Sequence, residues 1–230
     1  MNVALVTVGD EILAGDTVNT NASWIGQRLA DRGVSVERVT VVPDRTADIA
    51  RVVNEYAADY DAVVVTGGLG PTHDDVTMAG VAAAVGRSLE RNETALEWLS
   101  GDGGYSSEEH AVGTAEIPEN ARPLRNTVGV APGCVVGSIY VLPGVPSEMK
   151  AMFETVESEF TGESRHVGTV IVDEPESALV TRLAELQKEF GVKVGSYPGK
   201  YVRVKVEHAD ADVVEEALEW LRERAETVQR

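Results

Sequence analysis

The apolar positions fall into two rhythms. Short apolar runs within Val3–Val8 and Asp61–Thr66 suit strands covered on both faces of a parallel sheet. Between them lie stretches of helical spacing. Trp24, Ile25 and Leu29 mark one helix, capped by Asn19 or Asn21, running to about Arg32 and closed by Gly33. Ile49, Val52, Val53 and Tyr56 mark a second, capped by Thr46. Val34–Val42 reads as the strand between them, ended by Pro43-Asp44. Val76–Val85, rich in small residues, predicts a close-packed helix, and Asn92–Leu99 a short one. Ser106–Glu116 is ambiguous and Ala121–Leu124 is a short strand. Cys134–Val136 and Ile139–Leu142 flank Gly137-Ser138 as a hairpin. Pro146 then opens a helix to about Phe160. This alternation predicts an α/β fold, a doubly wound, mostly parallel sheet with helices on both faces.

Thr161-Gly162-Glu163-Ser164 reads as a boundary, giving domains 1–162 and 163–230. The second domain predicts a small α+β set in the order β-α-β-β-α. Its strands are Val167–Val172, Val192–Tyr197 and Tyr201–Glu207. One helix carries Leu179, Leu183, Leu186 and Phe190 inward. A last helix, capped by Asp210 or Asp212, carries Val213, Val214, Ala217, Leu218 and Leu221.

The glycine-rich turn after Asp61–Thr66 changes the picture from fold to chemistry. In Gly67-Gly68-Leu69-Gly70-Pro71-Thr72-His73-Asp74-Asp75, glycines let backbone N–H groups approach a ligand that a Cβ would keep away. Asp74 and Asp75 stand at the mouth of the next helix, where one acidic residue suffices as a cap. A tight turn with a doubled cap and a diphosphate site beside a cation both fit. In an open α/β sheet, ligands sit beyond the carboxyl ends of the strands. There the first strand delivers Asp10 and Glu11, the second Asp44, and the third the turn with Asp74 and Asp75. So many converging carboxylates call for a divalent cation, and oxygen ligands suit Mg²⁺, Mn²⁺ or a similar ion. His73 could join such a site or face solvent. Arg122, Arg125 and Lys150 could reach phosphate or remain at the surface. Cys134 reads as a small hydrophobe rather than a nucleophile. Neither a G-x-G-x-x-G after the first strand nor a P-loop lysine is present.

Charge narrows the partners. Thirty-eight acidic residues face twenty basic ones, for a net −18 among 230 residues, and only five of the basic ones are lysines. Such a surface disfavours nucleic acid and anionic membranes and suits a salt-rich interior. The absence of a long apolar run excludes a membrane helix, and the start at Met1-Asn2-Val3-Ala4 lacks a basic leader, so a cytoplasmic location is expected.

Several motifs appear in order: Gly9-Asp10-Glu11-Ile12-Leu13-Ala14-Gly15, Asn19-Thr20-Asn21-Ala22, the turn from Thr66 through Thr77, Ala131-Pro132-Gly133, and Leu142-Pro143-Gly144-Val145-Pro146-Ser147-Glu148-Met149. Together they resemble the competence/damage-inducible CinA family, within the wider molybdopterin-binding (molybdenum cofactor biosynthesis) family. The second domain, with Gly195-Ser196-Tyr197-Pro198, resembles the small KH-like domain of the same proteins, without a G-x-x-G loop. A C-terminal deamidase domain is not covered, so that activity is not expected.

The resemblance implies a ligand-binding α/β domain whose phosphate loop is Gly67, Gly68, Leu69, Gly70, Pro71 and Thr72, with Gly9 beside it. It implies acidic functional positions at Asp44 and Asp75, with Asp74 as a further catalytic candidate, and a loop over the ligand from Gly144, Pro146 and Ser147. Asp10, Glu11, Asp74 and Asp75 are then the expected ligands of Mg, Mn or Co. Three functions share this site. They are metal-dependent hydrolysis of a nucleotide diphosphate of the ADP-ribose or FAD type, binding or adenylylation of molybdopterin, and non-catalytic nucleotide binding. A homo-oligomer, dimer or trimer, is the expected assembly.

Overall fold

The computed structural model describes residues 1–101, 113–163 and 165–228. The chain divides into two compact units, Met1–Gly162 and Glu163–Arg230. The sequence reading at Ser106–Glu116 falls largely outside the described residues.

The first unit is built on a six-stranded sheet. Its strands are β1 (Asn2–Val8), β2 (Ser35–Val42), β3 (Ala62–Thr66), β6 (Arg122–Leu124), β7 (Gly133–Val136) and β8 (Ile139–Leu142). Their order is β2-β1-β3-β8-β7-β6. β2, β1, β3 and β8 run parallel, β7 runs against them, and β6 pairs antiparallel with β7. β4 (Leu89–Arg91) and β5 (Glu116–Pro118) form a separate two-stranded ribbon that hydrophobic patterning did not predict.

The helices are α1 (Asp10–Leu13), α2 (Thr20–Asp31), α3 (Thr46–Asp59), α4 (Thr77–Ala84), α5 (Glu93–Gly101) and α6 (Pro146–Val156). Unbroken apolar runs in β1 and β3 follow from coverage of both sheet faces. Ala62 and Val64 point toward Ile25 and Leu29 of α2 and Met149, Met152 and Phe153 of α6. Val63 and Val65 point the other way, toward Ile49, Val52 and Val53 of α3 and Val81 of α4. Burial of each such Val, Leu or Ile contributes roughly 1.5–3 kcal/mol.

Three local expectations change, the first at α3, whose N-cap position is Arg45, without a side-chain bond, and not Thr46. Gly9–Gly15 is more than a loop, because Asp10–Leu13 closes one helical turn. Asp74 and Asp75 do not cap α4. Val76 occupies the N-cap position without a side-chain bond, and Thr77 instead donates its N–H to the Gly68 carbonyl, 3.2 Å away. Asn19 is the residue that caps α2, accepting from the Ala22 N–H at 3.2 Å.

The second unit carries β9 (His166–Val172), α7 (Glu176–Phe190), β10 (Lys193–Tyr197), β11 (Val202–His208) and α8 (Ala211–Arg222). The antiparallel order is β10-β11-β9. Val170, Val172, Val204 and Val206 alternate onto one face and pack under Leu179 and Leu186 of α7 and Val214 and Leu218 of α8. Asp210 caps α8. Residues 226–228 return along the end of β9, with Asp173 N–H to Glu226 O at 2.7 Å and Val228 N–H to Ile171 O at 3.0 Å.

Candidate functional site

β1 and β3 lie side by side, and the chain leaves β1 for β2 on one flank and reaches β3 on the other. This is a topological switch point, where the connecting loops diverge and leave a crevice. A cleft of about 230 Å³ opens there. Thr7, Val8 and Gly9 reach it from β1, Thr66, Gly67 and Gly68 from β3, Asp44 from the end of β2, and Gly144 and Pro146 from the loop after β8. Asn19 and Asn21, at the start of α2, close one side.

The glycine turn is held by contacts only glycine allows. Gly67 has φ +101° and its N–H donates to the Leu142 carbonyl at 3.1 Å. A Cβ there would stand 2.3 Å from the backbone carbonyl oxygen of Val8. Gly68, with φ +62°, would place a Cβ 2.4 Å from Thr77 Oγ1. Gly70 differs. Its φ lies outside the left-handed region, and a Cβ there would meet the Asp75 carboxylate at 2.6 Å.

Four carboxylates line the cleft, those of Glu11, Asp44, Asp74 and Asp75. Asp44 Oδ2 accepts the Asp10 N–H at 2.8 Å, which ties the loops after β1 and β2 together. Burial raises the Asp44 pKa. The Asp10 N–H pulls the other way, and the Asp10, Glu11 and Asp74 carboxylates add to the rise. Asp75 Oδ2 accepts the Thr72 N–H at 3.0 Å, and the Thr72 hydroxyl lies between Asp74 and Asp75. The hydroxyl of Thr72 holds the Asp74 pKa below the usual carboxylate range. Both aspartates thus fix the turn through Thr72, rather than the helix behind it.

The expected metal ligands Asp10, Glu11, Asp74 and Asp75 do not form a complete set. Among the described residues no group of three or more His, Cys, Asp and Glu side chains is arranged to hold a metal ion. Asp10 contributes its backbone to Asp44 and is not in the cleft lining, and Thr72 engages the other aspartates. A cation here would take part of its coordination from the ligand.

The expected phosphate loop divides. Gly9, Gly67, Gly68, Gly144 and Pro146 line the cleft. Leu69 is buried in the core, Pro71 and Thr72 are exposed, and Gly70 and Ser147 are outside the lining. His73 is exposed, its Nδ1 3.8 Å from Asp74 Oδ1. The basic candidates stand elsewhere. Arg122 pairs with Glu159 at 2.7 Å, Lys150 lies over the Trp24 ring and Arg125 over the Trp98 ring. No lysine or arginine lines the cleft among the described residues. Cys134 is buried and its thiol is pushed up to about 12 by that burial, which removes it as a nucleophile.

Pattern reading missed the polar floor. Asn19 Nδ2 donates to Thr7 Oγ1 at 3.0 Å, and Asn21 Nδ2 donates to the Gly144 carbonyl at 2.7 Å. Asn21 Oδ1, Thr66 Oγ1 and Thr77 Oγ1 are buried and have no hydrogen-bond partner among the described residues. The sequence signal was the Asn19-Thr20-Asn21 triplet, more asparagine than one cap requires.

The chain is similar to several known proteins. A family model described as "Probable molybdopterin binding domain" matches residues 4–162, and one described as "FAD synthase, middle domain" matches residues 164–229. A protein of Aeropyrum pernix is 44% identical over 233 residues, spanning 93% of this chain and 87% of that protein. A CinA-like protein of Frankia casuarinae is 44% identical over 165 residues, 66% of this chain but 38% of the longer relative. The crystal structure of CinA, a protein of unknown function from Thermoplasma acidophilum, superposes with a TM-score of 0.66 at 40% identity, covering 70% of this chain and 99% of that one.

Proposed function

The chain belongs to the molybdopterin-binding domain family, and from that premise we propose that the cleft of its first unit binds a phosphorylated pterin or nucleotide. The observation that carries this reading is the position of the cleft at the switch point between β1 and β3, floored by Gly67 and Gly68. The Gly67 N–H is taken by the Leu142 carbonyl, so the Gly68 N–H is the candidate donor to a phosphoryl oxygen, with no side chain to compete. Asn21 and Thr66 offer polar atoms to a heterocyclic ring edge, atoms that find no partner among the described residues. Burying such atoms unpaired costs free energy that a ligand hydrogen bond offsets. Isothermal titration with molybdopterin, ADP-ribose and FAD tests the reading. Binding of one of them, lost in Gly68→Val, is expected; no heat with any of them overturns it.

A second reading is hydrolysis of a nucleotide diphosphate with a divalent cation, and Asp44 favours it. A carboxyl whose pKa is raised by burial and by neighbouring carboxylates accepts a proton more readily than a free one. Asp75, anchored by Thr72, places a second carboxylate across the cleft. A cation would neutralise these groups and the diphosphate together, its ligands shared between protein and substrate. Incubation of ADP-ribose and FAD with Mg²⁺, Mn²⁺ or Co²⁺, against a chelator control, separates this reading from binding alone. Product that forms only with metal supports hydrolysis, and bound but intact substrate under every condition rejects it.

A further inference from the structure

Strand alternation leaves the second unit with two unlike faces. One face of the β10-β11-β9 sheet is covered by α7 and α8, and Gly168 is small because a Cβ there would strike Leu218 at 2.2 Å. The opposite parity points away from the helices. It carries Val167, Thr169 and Ile171 on β9, Arg203, Lys205 and Glu207 on β11, and Lys193 and Tyr197 on β10. Val167 and Tyr197 are 52% and 45% exposed. Arg203 lies over the Tyr197 ring at 4.6 Å, and Lys200, in the turn between the strands, lies over Tyr201 at 5.1 Å.

The charge of this face is opposite to that of the chain. Residues 191–207 hold four basic residues against Glu207, and three of the chain's five lysines are among them. Residues 208–228 hold seven acidic residues against two arginines. Asp212, Glu215, Glu216, Glu219 and Glu223 are exposed on or at the end of α8. The unit is therefore basic on its open sheet face and acidic on its helical face. Lys193 and Lys205 share Glu207 as their ion-pair partner and Arg203 is left over, so the face keeps a net positive charge, and an open sheet face is a layer short of a covered core.

We propose that this sheet face docks the acidic α8 surface of a second copy of the same chain. Charge complementarity selects that occupant, because the molecule itself supplies the matching acidic surface. The contact is heterologous, so association continues past a pair unless a ring closes.

Sedimentation of the full chain tests this at about 0.1 M and about 1 M KCl, where the Debye length falls from about 10 to about 3 Å. The expected result is a mass that rises with protein concentration at low salt and falls toward the monomer at high salt. Lys193→Glu/Arg203→Glu and, separately, Glu216→Lys/Glu219→Lys should each weaken association roughly tenfold or more. Circular dichroism confirms that each variant is folded. Mixing the two variants should restore association, since each keeps the face the other lost and the two reversed faces are again opposite in charge. Three results overturn the proposal: association unchanged in both variants, association strengthened by Arg203→Glu as sheet-to-sheet packing requires, or Tyr197-dependent binding of a labelled single-stranded oligonucleotide by the parent chain.

Discussion

Gly67, Gly68 and Gly70 look alike in the sequence, and the structure gives each a different reason to be glycine. At Gly67 the obstacle is the Val8 backbone, which cannot step aside, so Gly67→Ala should lower thermal stability as well as ligand affinity. At Gly68 a β-branched side chain combines a left-handed φ with a collision at the buried Thr77 hydroxyl. Gly68→Val should abolish binding in a titration, with helix content retained. Gly70→Val needs only the Asp75 carboxylate to move, and its effect should be smaller and resemble that of an Asp75 variant. Equal losses at positions 68 and 70 would contradict this ordering. Asp75→Asn is the sharper test of chemistry. Asn keeps an acceptor for the Thr72 N–H, so the turn survives while the charge is lost. If the site hydrolyses a diphosphate, turnover should fall by about 100-fold or more, the scale of a general-base or metal-binding role. Full turnover in the folded variant would remove Asp75 from the chemistry.

Among the elements, legibility followed how much burial each one carries. β1 and β3 announce themselves because both faces are covered, so nearly every residue is apolar until the strand ends at the cleft, at Thr7 and Thr66. β4 and β5 did not, since three-residue strands on a small ribbon leave too little pattern to read. The acidic residues of the cleft were readable from topology, whereas Asn21 and Thr66 were not. A buried polar residue looks in sequence like a cap or a strand end until the fold shows what surrounds it. The C-terminal tail was likewise silent, and it depends on Glu174. This carboxylate accepts two hydrogen bonds from Arg182 and one from the Glu226 N–H at 2.8 Å, while Arg182 also reaches the Arg224 carbonyl. Arg182 is the main cause of a Glu174 pKa lowered from 4.5 to about 2. A lowered folded pKa stabilises the fold above the unfolded value, and the contribution is lost as pH falls toward about 2. Glu174→Gln should therefore lower the melting temperature of the parent chain by a few degrees at neutral pH. That difference should shrink steadily below pH 4.5. A constant difference across the acid range would show that Glu174 acts by packing alone.

At the scale of the whole molecule, charge decides behaviour that neither unit reveals by itself. Among the described residues no helix is long and apolar enough to cross a membrane, and the surface is dominated by carboxylates. At −18, self-repulsion opposes the compact state, and the acidic cleft repels a phosphorylated ligand. Salt relieves both, because exposed charges lose their long-range interactions as the Debye length shrinks. The contacts that would hold the phosphate, backbone N–H groups of the glycine turn and a shared cation, act at short range and are screened less. Thermal stability and ligand affinity should therefore both rise between about 0.1 M and about 2 M KCl. A phosphate site built on lysine and arginine would weaken over the same range, and none of those side chains lines this cleft among the described residues. Self-association through the basic sheet face should move the opposite way, weakening as salt rises, so the three quantities can be separated in one series. Melting curves and titrations at the two salt concentrations give the answer. Flat or falling stability would contradict an adaptation to high salt, and affinity that falls steeply would require basic ligand contacts outside the cleft described.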